Sequence, residues 1–446
     1  MVKIEMEVVN STPLLPGWYN PELVDPMGLR ASGIKGIWRW WARAIIGGAL
    51  YDNCMLVGES RDKDGIVRKP SRREAELISC LVGKILGLGY VGQKEAESSR
   101  FIIRIETLKK EVSKITRGSE IARKYQRLNL LTRGRRPVKL EYILPLHSKE
   151  APEGARFRII VDRVRSSYAD AEDLAAKILI LALQLSGVGK GSRRGLGSLD
   201  IISFSGITIP DKLKDLLDSV YNDAIEVVSK YVEKCPTPPT KLCDKRTLPP
   251  LSVISKTSIQ DININVDIDG ITGVYVVKSS GENLEQMFRD IHNFFLRSER
   301  CKKLYGNPKY YDDLRNNKLA WILGLPRRGR KREKKREDEK EEEIEKDTGY
   351  KAIGVDRRAS PIIISYHSKA NMFERNVVFV TIMVSGDWPK KIIWLGNEDK
   401  EQSSKGEDKE PDMLDEVKIA SAISIAFREF KNYVNSAGYT LEKVWP

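Results

Sequence analysis

The feature that most constrains the fold is the order of strands and helices predicted in the first 205 residues. Residues 3–9 alternate charged and apolar positions, the period of a half-buried strand. Residues 33–46 have helical spacing, with Ser32 as the predicted N-cap. The next predicted elements are strands at 100–106 and 156–163, a helix at 170–186 and a strand at 198–204. Strand, helix, strand, strand, helix, strand is the order of a split βαβ, or ferredoxin-like, domain.

The second half of the chain repeats this plan more loosely. Its predicted strands are 251–258, 271–278, 360–367 and 376–384, and its predicted helices are 283–300 and 411–434. A long amphipathic helix at 211–233 and a proline-rich linker at 235–250 separate the halves. We therefore predict an α+β protein with two tandem ferredoxin-like (RRM-like) domains and insertions. Because no internal sequence repeat is evident, the duplication rests on element order alone.

The predicted domain limits follow from these elements. They are 1–209 with a basic insertion at 107–140, a helix and connector at 210–250, and 251–446 with a charged insertion at 327–346. The charged insertion is basic and then acidic, which favours a disordered or helical surface excursion. Residues 396–411 are similarly polar and are predicted to form a mobile loop.

The charge of the chain favours a polyanionic partner. The net charge is +14 and the pI about 9.3, which points to nucleic acid first and anionic membrane second. Residues 1–205 carry 35 Lys/Arg against 23 Asp/Glu, and residues 107–140 carry eleven Lys/Arg against two acids. We expect this basic arm to order on RNA, with Tyr125 as a candidate stacking residue; the alternative is a solvated surface insertion.

Several classes of protein are disfavoured. The opening MVKIEMEVVNST has no apolar core of a signal peptide. The apolar run Ile178–Leu183 is far shorter than the roughly 20 residues that span a bilayer. The five cysteines, Cys54, Cys80, Cys235, Cys243 and Cys301, are odd in number and form no C-x-x-C pair. We therefore expect a cytoplasmic protein with no disulfide framework, no zinc site and no membrane partner.

The predicted first helix carries a basic column beside an apolar face. The apolar face comprises Ile34, Trp38, Trp41 and Ile45, and the basic column comprises Lys35, Arg39 and Arg43 at a spacing of four residues. Such a column suits phosphates, and tryptophan so close to arginine suits base stacking. The alternative is an ordinary amphipathic helix with solvated cations.

A glycine-rich segment, S-G-V-G-K-G-S-R-R-G-L-G-S at Ser186–Ser198, is the second candidate site. Its candidate contacts are Lys190, Ser192, Arg193 and Arg194. Glycines let a loop approach a sugar-phosphate backbone and leave N–H groups to point at it. The segment is not a Walker loop, because the order G-x-x-x-x-G-K-S/T is absent, and it is not a Rossmann loop, because it follows a predicted helix and does not open one. The alternative is a flexible connector, which does not need three cations.

A third candidate lies in the second half, where L-G-L-P at 323–326 is followed by R-R-A-S-P at 357–361. Arg357 and Arg358 stand just before a predicted strand. Either they hold a phosphate or they are structural, and the chemistry of the residues does not choose between the two.

Together these motifs resemble the RAMP superfamily of CRISPR-associated proteins. The glycine-rich segment is typical of the superfamily. The helix S-G-I-K-G-I-W-R-W-W-A-R resembles one subgroup, the first-numbered capping subunit of the type III-B Cmr effector complex. E-A-E at 74–76, S-S-R-F-I-I-R-I at 98–105 and the L-G-L-P and R-R-A-S-P pair extend the likeness in patches along nearly the whole chain.

The resemblance implies a place in a multi-subunit ribonucleoprotein. In that family the subunit caps the complex near the 3′ end of the guide RNA and helps capture target RNA, beside other RAMP subunits. Carried over by position, the implied RNA-binding residues are Lys35, Arg39, Arg43, Lys190, Arg193 and Arg194, and then Arg357 and Arg358. The insertion at 327–346 matches no motif of the family.

Relatives in the superfamily include ribonucleases, so an endoribonuclease is the alternative function. Metal-independent cleavage uses a general base, for which the chain offers His147, His292 and His367, with His147 the best candidate. Asp25 is the candidate aspartate, and with Asp64 it would need tertiary proximity to bind a metal. We predict no catalytic residue, metal or cofactor. A non-CRISPR RNA chaperone would explain the charge but not the two motifs together.

A triple substitution tests the first helix. Replacing Lys35, Arg39 and Arg43 with Ala is expected to weaken RNA binding uniformly across sequences and to flatten its salt dependence, because phosphate contacts are lost. Mobility-shift titrations over a salt series measure both. Unchanged binding by a folded triple variant would remove this helix from the site.

Overall fold

A computed structural model describes most of the chain. The described residues are 3–20, 22–61, 65–92, 95–132, 139–235, 247–256, 270–279, 284–325, 327–337, 340–355, 357–395 and 411–446. The predicted linker at 235–250 and the predicted loop at 396–411 lie largely outside these ranges, as does Asp64.

The first half contains ten strands and six α-helices among its described residues. They are β1 Lys3–Asn10, α1 Ala31–Asp52, β2 Glu59–Arg61, β3 Ile66–Lys69, α2 Arg72–Cys80, β4 Tyr90–Val91, β5 Ala96–Glu97, β6 Phe101–Lys109, β7 Val112–Ile115, α3 Glu120–Lys124, α4 Gln126–Leu131, β8 Leu140–Ile143, β9 Arg156–Arg163, α5 Ala169–Leu185, β10 Leu199–Ser205 and α6 Leu213–Tyr231. A π-helical turn, Leu81–Ile85, extends α2, and a 3-10 turn, Val232–Lys234, extends α6.

The described part of the second half contains eight strands and four α-helices. They are β11 Gly273–Ser279, α7 Leu284–Asn293, α8 Arg297–Tyr305, α9 Asp313–Asn316, β12 Arg327–Glu337, β13 Lys340–Ile353, β14 Ile362–His367, β15 Val377–Ile382, β16 Lys391–Trp394, β17 Asp412–Met413, α10 Glu416–Ser436 and β18 Tyr439–Trp445. A 3-10 turn, Ala320–Leu323, precedes β12.

Each half is built on a four-stranded antiparallel sheet with the same topology. The first sheet has the order β10-β1-β9-β6 and the second the order β14-β15-β11-β18. Numbered within its own half, each sheet reads 4-1-3-2, with a helix after its first and its third strand. The two tandem ferredoxin-like folds predicted from the sequence are therefore confirmed. The domain limits at 1–209, 210–250 and 251–446 stay predictions.

Element boundaries differ from the prediction where capping and packing decide them. α1 begins at Ala31, with Arg30 as N-cap and no side-chain cap hydrogen bond, so the predicted cap Ser32 lies inside the helix. The predicted helix 283–300 is two helices, α7 and α8, interrupted after Asn293.

The strand predicted at 251–258 is wrong over its described residues, because 251–256 form no strand. This apolar segment crosses α1 at its Gly47–Gly48 pair, where a Cβ on Gly48 would lie 1.5 Å from the carbonyl oxygen of Ile254. The amide of Ile254 also donates to the carbonyl oxygen of Ala44 at 3.0 Å. The segment is apolar because it is buried against a helix. The second sheet is completed instead by β18, at the C-terminal end of the chain.

The charged insertion at 327–346 forms the antiparallel hairpin β12–β13, not the disordered or helical excursion that was predicted. Its register places the basic strand against the acidic one. The opposed positions are Arg332 and Glu345, Lys334 and Glu343, Lys335 and Glu342, and Arg336 and Glu341. Opposite charges at directly opposed positions stabilise an antiparallel pair. A basic run followed by an acidic run is therefore self-complementary when the chain folds back.

The predicted absence of disulfides is also wrong. Cys80, at the end of α2, is bonded to Cys235, just after α6, at a sequence separation of 155 residues. Both cysteines are buried. Cys54 is disulfide-bonded as well, whereas Cys301 is a buried free thiol. Spacing along the chain did not indicate this pairing, since only the packing of α6 near α2 brings the two thiols together.

Among the described residues, no helix combines the length and the apolar character that crossing a membrane requires.

The Cys80–Cys235 bond predicts non-additive stability effects. We expect Cys80→Ala and Cys235→Ala each to lower the free energy of unfolding by about 2–4 kcal/mol, since each opens the same long loop. The double variant should lose little more than either single variant. Urea denaturation measures the free energies, and non-reducing peptide mapping verifies the linkage. Additive losses would contradict the bond.

Candidate nucleic-acid interface

The apolar face of α1 anchors the helix in the core. Ile34, Trp38, Trp41 and Ile45 are fully buried, as predicted. The Trp38 indole Nε1 donates to the carbonyl oxygen of Ala175 in α5 at 2.6 Å, and the Trp41 Nε1 donates to Ser186 Oγ at 3.1 Å. These bonds hold α1 against α5 and against the start of the glycine-rich segment. The basic column of α1 consequently faces away from the core.

The three cations of α1 differ in what they contact. Arg43 is exposed and Lys35 is half-buried. Burial, followed by the nearby charge of Arg39, lowers the pKa of Lys35. Arg39 is half-buried, and its Nε donates to the carbonyl oxygen of Leu88 at 2.9 Å. Arg39 therefore ties α1 to the loop that precedes β4, whereas Arg43 projects into solvent.

Residues 187–197 of the glycine-rich segment form a packed loop, the glycine-rich loop, and not an open connector. A Cβ on Gly189 would lie 2.6 Å from the carbonyl oxygen of Leu15, and one on Gly197 would lie 2.0 Å from that of Val188. Both glycines have positive φ, at 85° and 68°. Glycine is required here because protein backbone approaches so closely.

The amides of this loop donate to carbonyl oxygens within the protein. The bonds are Val188 to Gly197 at 2.9 Å, Lys190 to Leu15 at 3.0 Å, Arg194 to Gly191 at 2.8 Å, and Gly187 and Gly195 to Ser192, both at 3.3 Å. The expectation that these N–H groups point at a ligand is therefore wrong for these donors. Any contact with a polyanion falls to the side chains.

The two loop arginines point in different directions. The guanidinium carbon of Arg193 lies 4.4 Å from the ring centroid of Trp40 in α1. Burial, followed by the charge of Arg358, lowers the pKa of Arg193 to about 10. Arg194 instead lies over the Phe295 ring, with its Cζ 3.5 Å from the centroid, and donates to the carbonyl oxygen of Leu323. Arg193 joins the loop to α1, and Arg194 joins it to the second half.

Lys190 and Ser192 are the remaining loop candidates, and both are half-buried. Burial lowers the pKa of Lys190, an effect that the carboxylate of Glu22 opposes.

Arg357 and Arg358, which the sequence left undecided, occupy different environments. Arg357 is exposed. Arg358 is 9% exposed, and its Nη2 donates to Asp387 Oδ1 at 2.6 Å and to Ser385 Oγ at 2.9 Å. Its Nε donates to the carbonyl oxygen of Asp387 at 3.0 Å. The contacts of Arg358 are those of a structural arginine.

The three sequence motifs meet in space. Arg194 forms a parallel bridge with Ile364 of β14, and the amide of Ile364 donates to the carbonyl oxygen of Arg193 at 3.1 Å. Arg193 stacks on α1 and lies close enough to Arg358 to feel its charge. Helix, loop and the 357–358 segment thus come together in one basic region.

Tyr125, the predicted stacking residue of the basic arm, is unavailable. Its side chain is 4% exposed, and its ring packs against Phe288 with centroids 5.6 Å apart. Its hydroxyl donates to Glu285 Oε1 at 3.3 Å. That prediction is wrong because the arm packs onto α7. Residues 133–138 of the arm lie outside the described part of the chain.

The histidines differ in exposure. His147 is exposed, on a turn with φ 66°. His292 is 2% exposed and donates through Nδ1 to the carbonyl oxygen of Arg194 at 2.9 Å, and burial lowers its pKa to about 4. His367 is fully buried between Asp200 Oδ1 at 3.0 Å and the carbonyl oxygen of Gln184 at 2.7 Å. His292 and His367 support the fold around the loop.

Asp25 is 5% exposed and is ion-paired with Arg30. It also accepts a hydrogen bond from the amide of Met27 at 2.7 Å. No group of three or more metal-ligating side chains occurs within the described ranges. The side chain of Asp25 is thus occupied by protein donors.

Two exposed aromatic residues were not singled out from the sequence. Trp18 and Tyr19 are 40% and 78% exposed, in the turn between β1 and α1. Pro16 and Gly17 precede them directly in the sequence. Large aromatic rings in a turn were the available signal.

A family model and solved structures match this architecture. Residues 27–200 match the model of the RAMP superfamily. The match runs from just before α1 to just past the glycine-rich loop, and it confirms the resemblance to this superfamily that the motifs of that segment predicted. No curated protein matches the chain at a significant level.

Among solved structures, the chain is similar to a chain of the type III-B Cmr-beta complex bound to cognate target RNA. The two are 13% identical with a TM-score of 0.51, over 96% of this chain and 99% of that chain. Cmr1 from Pyrococcus furiosus in its apo form is 15% identical with a TM-score of 0.45, over 100% of this chain and 99% of that one. At 13% identity the likeness to the chain of the Cmr-beta complex is one of fold.

The two arginines at 357–358 provide a matched test of structural against surface roles. We expect Arg358→Ala to lower the free energy of unfolding by about 1–3 kcal/mol, below the ~3–5 kcal/mol of a fully buried pair because Asp387 is partly exposed. Arg357→Ala should change it by less than about 0.5 kcal/mol. Urea denaturation compares the two variants. Equal effects would refute the assignment of Arg358.

Proposed function

We propose that this chain is a non-catalytic RNA-binding subunit of a type III-B CRISPR (Cmr) ribonucleoprotein in the cytoplasm. It caps the end of the complex near the 3′ end of the guide RNA and helps capture target RNA in antiviral defence. Its partners are guide and target RNA and the other RAMP subunits. The RAMP match and the fold shared with a chain of a target-RNA-bound Cmr complex support this assignment.

The observation that carries the proposal is the convergence of three basic motifs on one region. Arg193 stacks on Trp40 of α1 and feels the charge of Arg358, so residues far apart in sequence share one positive field. A region of one sign of charge attracts the phosphates of RNA. The helix and the loop both belong to residues 1–205, which carry most of the basic excess of the chain.

Within this region the side chains differ in their freedom to bind phosphate. Arg43 and Arg357 are exposed, and Lys35 is half-buried at the surface of α1. Arg39, Arg194 and Arg358 already donate to protein oxygens. We assign phosphate contact first to the more exposed cations and assign positioning of the helix and loop to the other three.

The absence of catalysis is part of the proposal. His292 and His367 are buried with protein partners, and Asp25 is paired with Arg30. Among the three histidines His147 is the exposed one, so it is the residue on which the alternative, a RAMP endoribonuclease, depends.

A salt titration tests RNA binding. The double variant Lys35→Ala/Arg43→Ala leaves Arg39 and its bond to the Leu88 carbonyl in place. We expect it to weaken binding to all single-stranded RNAs and to reduce the slope of log K against log salt by about 1.4, or about 0.7 for each lost phosphate contact. Fluorescence anisotropy with a labelled RNA over a salt series gives both quantities.

A matched control removes two exposed cations elsewhere. Lys302 and Lys303 of α8 are exposed, and Lys302→Ala/Lys303→Ala changes the net charge by the same amount. This control should keep the wild-type slope, and an equal loss in both double variants would show that only net charge matters.

The RNA should also stay intact with Mg²⁺ or EDTA. A discrete product that disappears in His147→Ala would make the protein a nuclease.

A further inference from the structure

Trp18 and Tyr19 form an exposed aromatic pair in the turn between β1 and α1. Their ring centroids are 4.5 Å apart and their planes are inclined at 68°. Tyr19 is 78% exposed, and Trp18 is 40% exposed. Burying two such rings away from water is favourable, and neither ring is needed for the core that lies below the turn.

The turn that presents these rings is held by the backbone. Gly17 and Val24 form an antiparallel bridge, and the amide of Asp25 donates to the carbonyl oxygen of Pro16 at 3.1 Å. At the tip, Asn20 accepts hydrogen bonds from the amides of Glu22, at 2.8 Å, and Leu23, at 3.1 Å. The rings therefore stand on a defined turn.

The same turn is joined to the glycine-rich loop. Leu15 forms a parallel bridge with Gly189, and the amide of Lys190 donates to the carbonyl oxygen of Leu15 at 3.0 Å. A Cβ on Gly17 would lie 3.6 Å from Cε of Lys190. The aromatic pair is thus next in sequence to Gly17, which lies close to the Lys190 side chain of the loop in the basic region.

We propose that Trp18 and Tyr19 are a stacking platform for the bases of single-stranded RNA. The inference rests on the proposed RNA-binding function. It adds a site that contacts the faces of the bases and not the phosphates. Exposed aromatic rings beside cations are the combination that single-stranded nucleic acids use, since bases stack on rings while basic groups follow the backbone. The positive charge of the adjoining loop favours an anionic occupant over a neutral protein surface. The two exposed rings favour RNA over an acidic protein surface, because bases stack on aromatic rings and carboxylates do not.

Stacking and charge make separable contributions to affinity. Loss of a phosphate contact lowers the salt slope, whereas loss of a stacked base lowers affinity at every salt concentration and leaves the slope unchanged. The test therefore follows two quantities for each variant. The variants are Trp18→Ala/Tyr19→Ala, which removes the rings, and Trp18→Phe/Tyr19→Phe, which keeps an aromatic ring at each position.

A second exposed aromatic pair offers a matched control. Tyr305 and Tyr310 are 40% and 45% exposed, with ring centroids 4.2 Å apart. The Tyr305 hydroxyl donates to the Glu429 carboxylate at 3.2 Å, so this pair lies beside an acid. Tyr310→Ala removes an exposed ring of this pair and leaves that bond in place.

The experiment measures anisotropy of the full chain with a labelled 20-nucleotide single-stranded RNA and with an abasic RNA of equal phosphate number, over a salt series. We expect the alanine pair to weaken binding to the base-containing RNA by about 10- to 100-fold with an unchanged slope. The wild type should lose a similar factor on the abasic RNA. The phenylalanine pair and Tyr310→Ala should stay within about threefold of the wild type.

Three outcomes are distinguishable. Wild-type binding that falls with salt, combined with an unchanged affinity of the alanine pair, would overturn the stacking platform and leave the proposed function standing. Wild-type protein that binds neither RNA, even at low salt, would overturn the proposed function itself. Weakening by the alanine pair that is equal on base-containing and abasic RNA would also overturn the platform, because no base is then being stacked. Thermal unfolding verifies that each variant is folded.

Discussion

The structure depends on the packing of the glycine-rich loop between the segment that follows β1 and strand β14. On one side the loop pairs with the segment after β1 through the Leu15–Gly189 bridge, and on the other it pairs with β14 through the Arg194–Ile364 bridge. A Cβ on Gly187, Gly189 or Gly197 would collide with a carbonyl oxygen of the first half, and a Cβ on Gly195 would lie 2.5 Å from the Phe288 ring of the second half. Glycine therefore serves close packing within the loop and against both neighbours, and the direction of each loop side chain follows from that packing.

The packing of this loop and its neighbours gives different environments to cations that look equivalent in sequence. Arg193 and Arg194 are neighbours, but one stacks on Trp40 and the other on Phe295. In the same way, Arg357 is exposed to solvent, whereas Arg358 is buried and ion-paired with Asp387. Burying an arginine requires partners for its donors, so residues that reach carbonyl or carboxylate oxygens become supports. Those that remain at the surface supply the charge that a phosphate would meet.

The secondary structure predicted from the sequence was right where the local spacing of apolar residues determines it. It was wrong where contact with a segment distant in sequence determines it. The strand at 156–163 and the apolar face of α1 follow from alternation and from helical spacing, and both are confirmed. The segment 251–256 has the composition of a strand but is buried against Gly47 and Gly48 of α1. The 327–346 hairpin depends on pairing that no single strand of it reveals, because each strand alone carries a solvated polyelectrolyte sequence.

By itself the sequence determined the element order, the two ferredoxin-like folds, the basic excess of the first half and the motifs typical of RAMP proteins. These properties are local or compositional, and they persist whatever the segments pack against. Only the tertiary structure decided that Tyr125 is buried, that Cys80 meets Cys235, and that Gly17, next to Trp18 and Tyr19 in sequence, lies close to Lys190. Each of these depends on two segments that lie between 155 and 173 residues apart in sequence. Their proximity is set by packing, so it leaves no periodic pattern in the sequence.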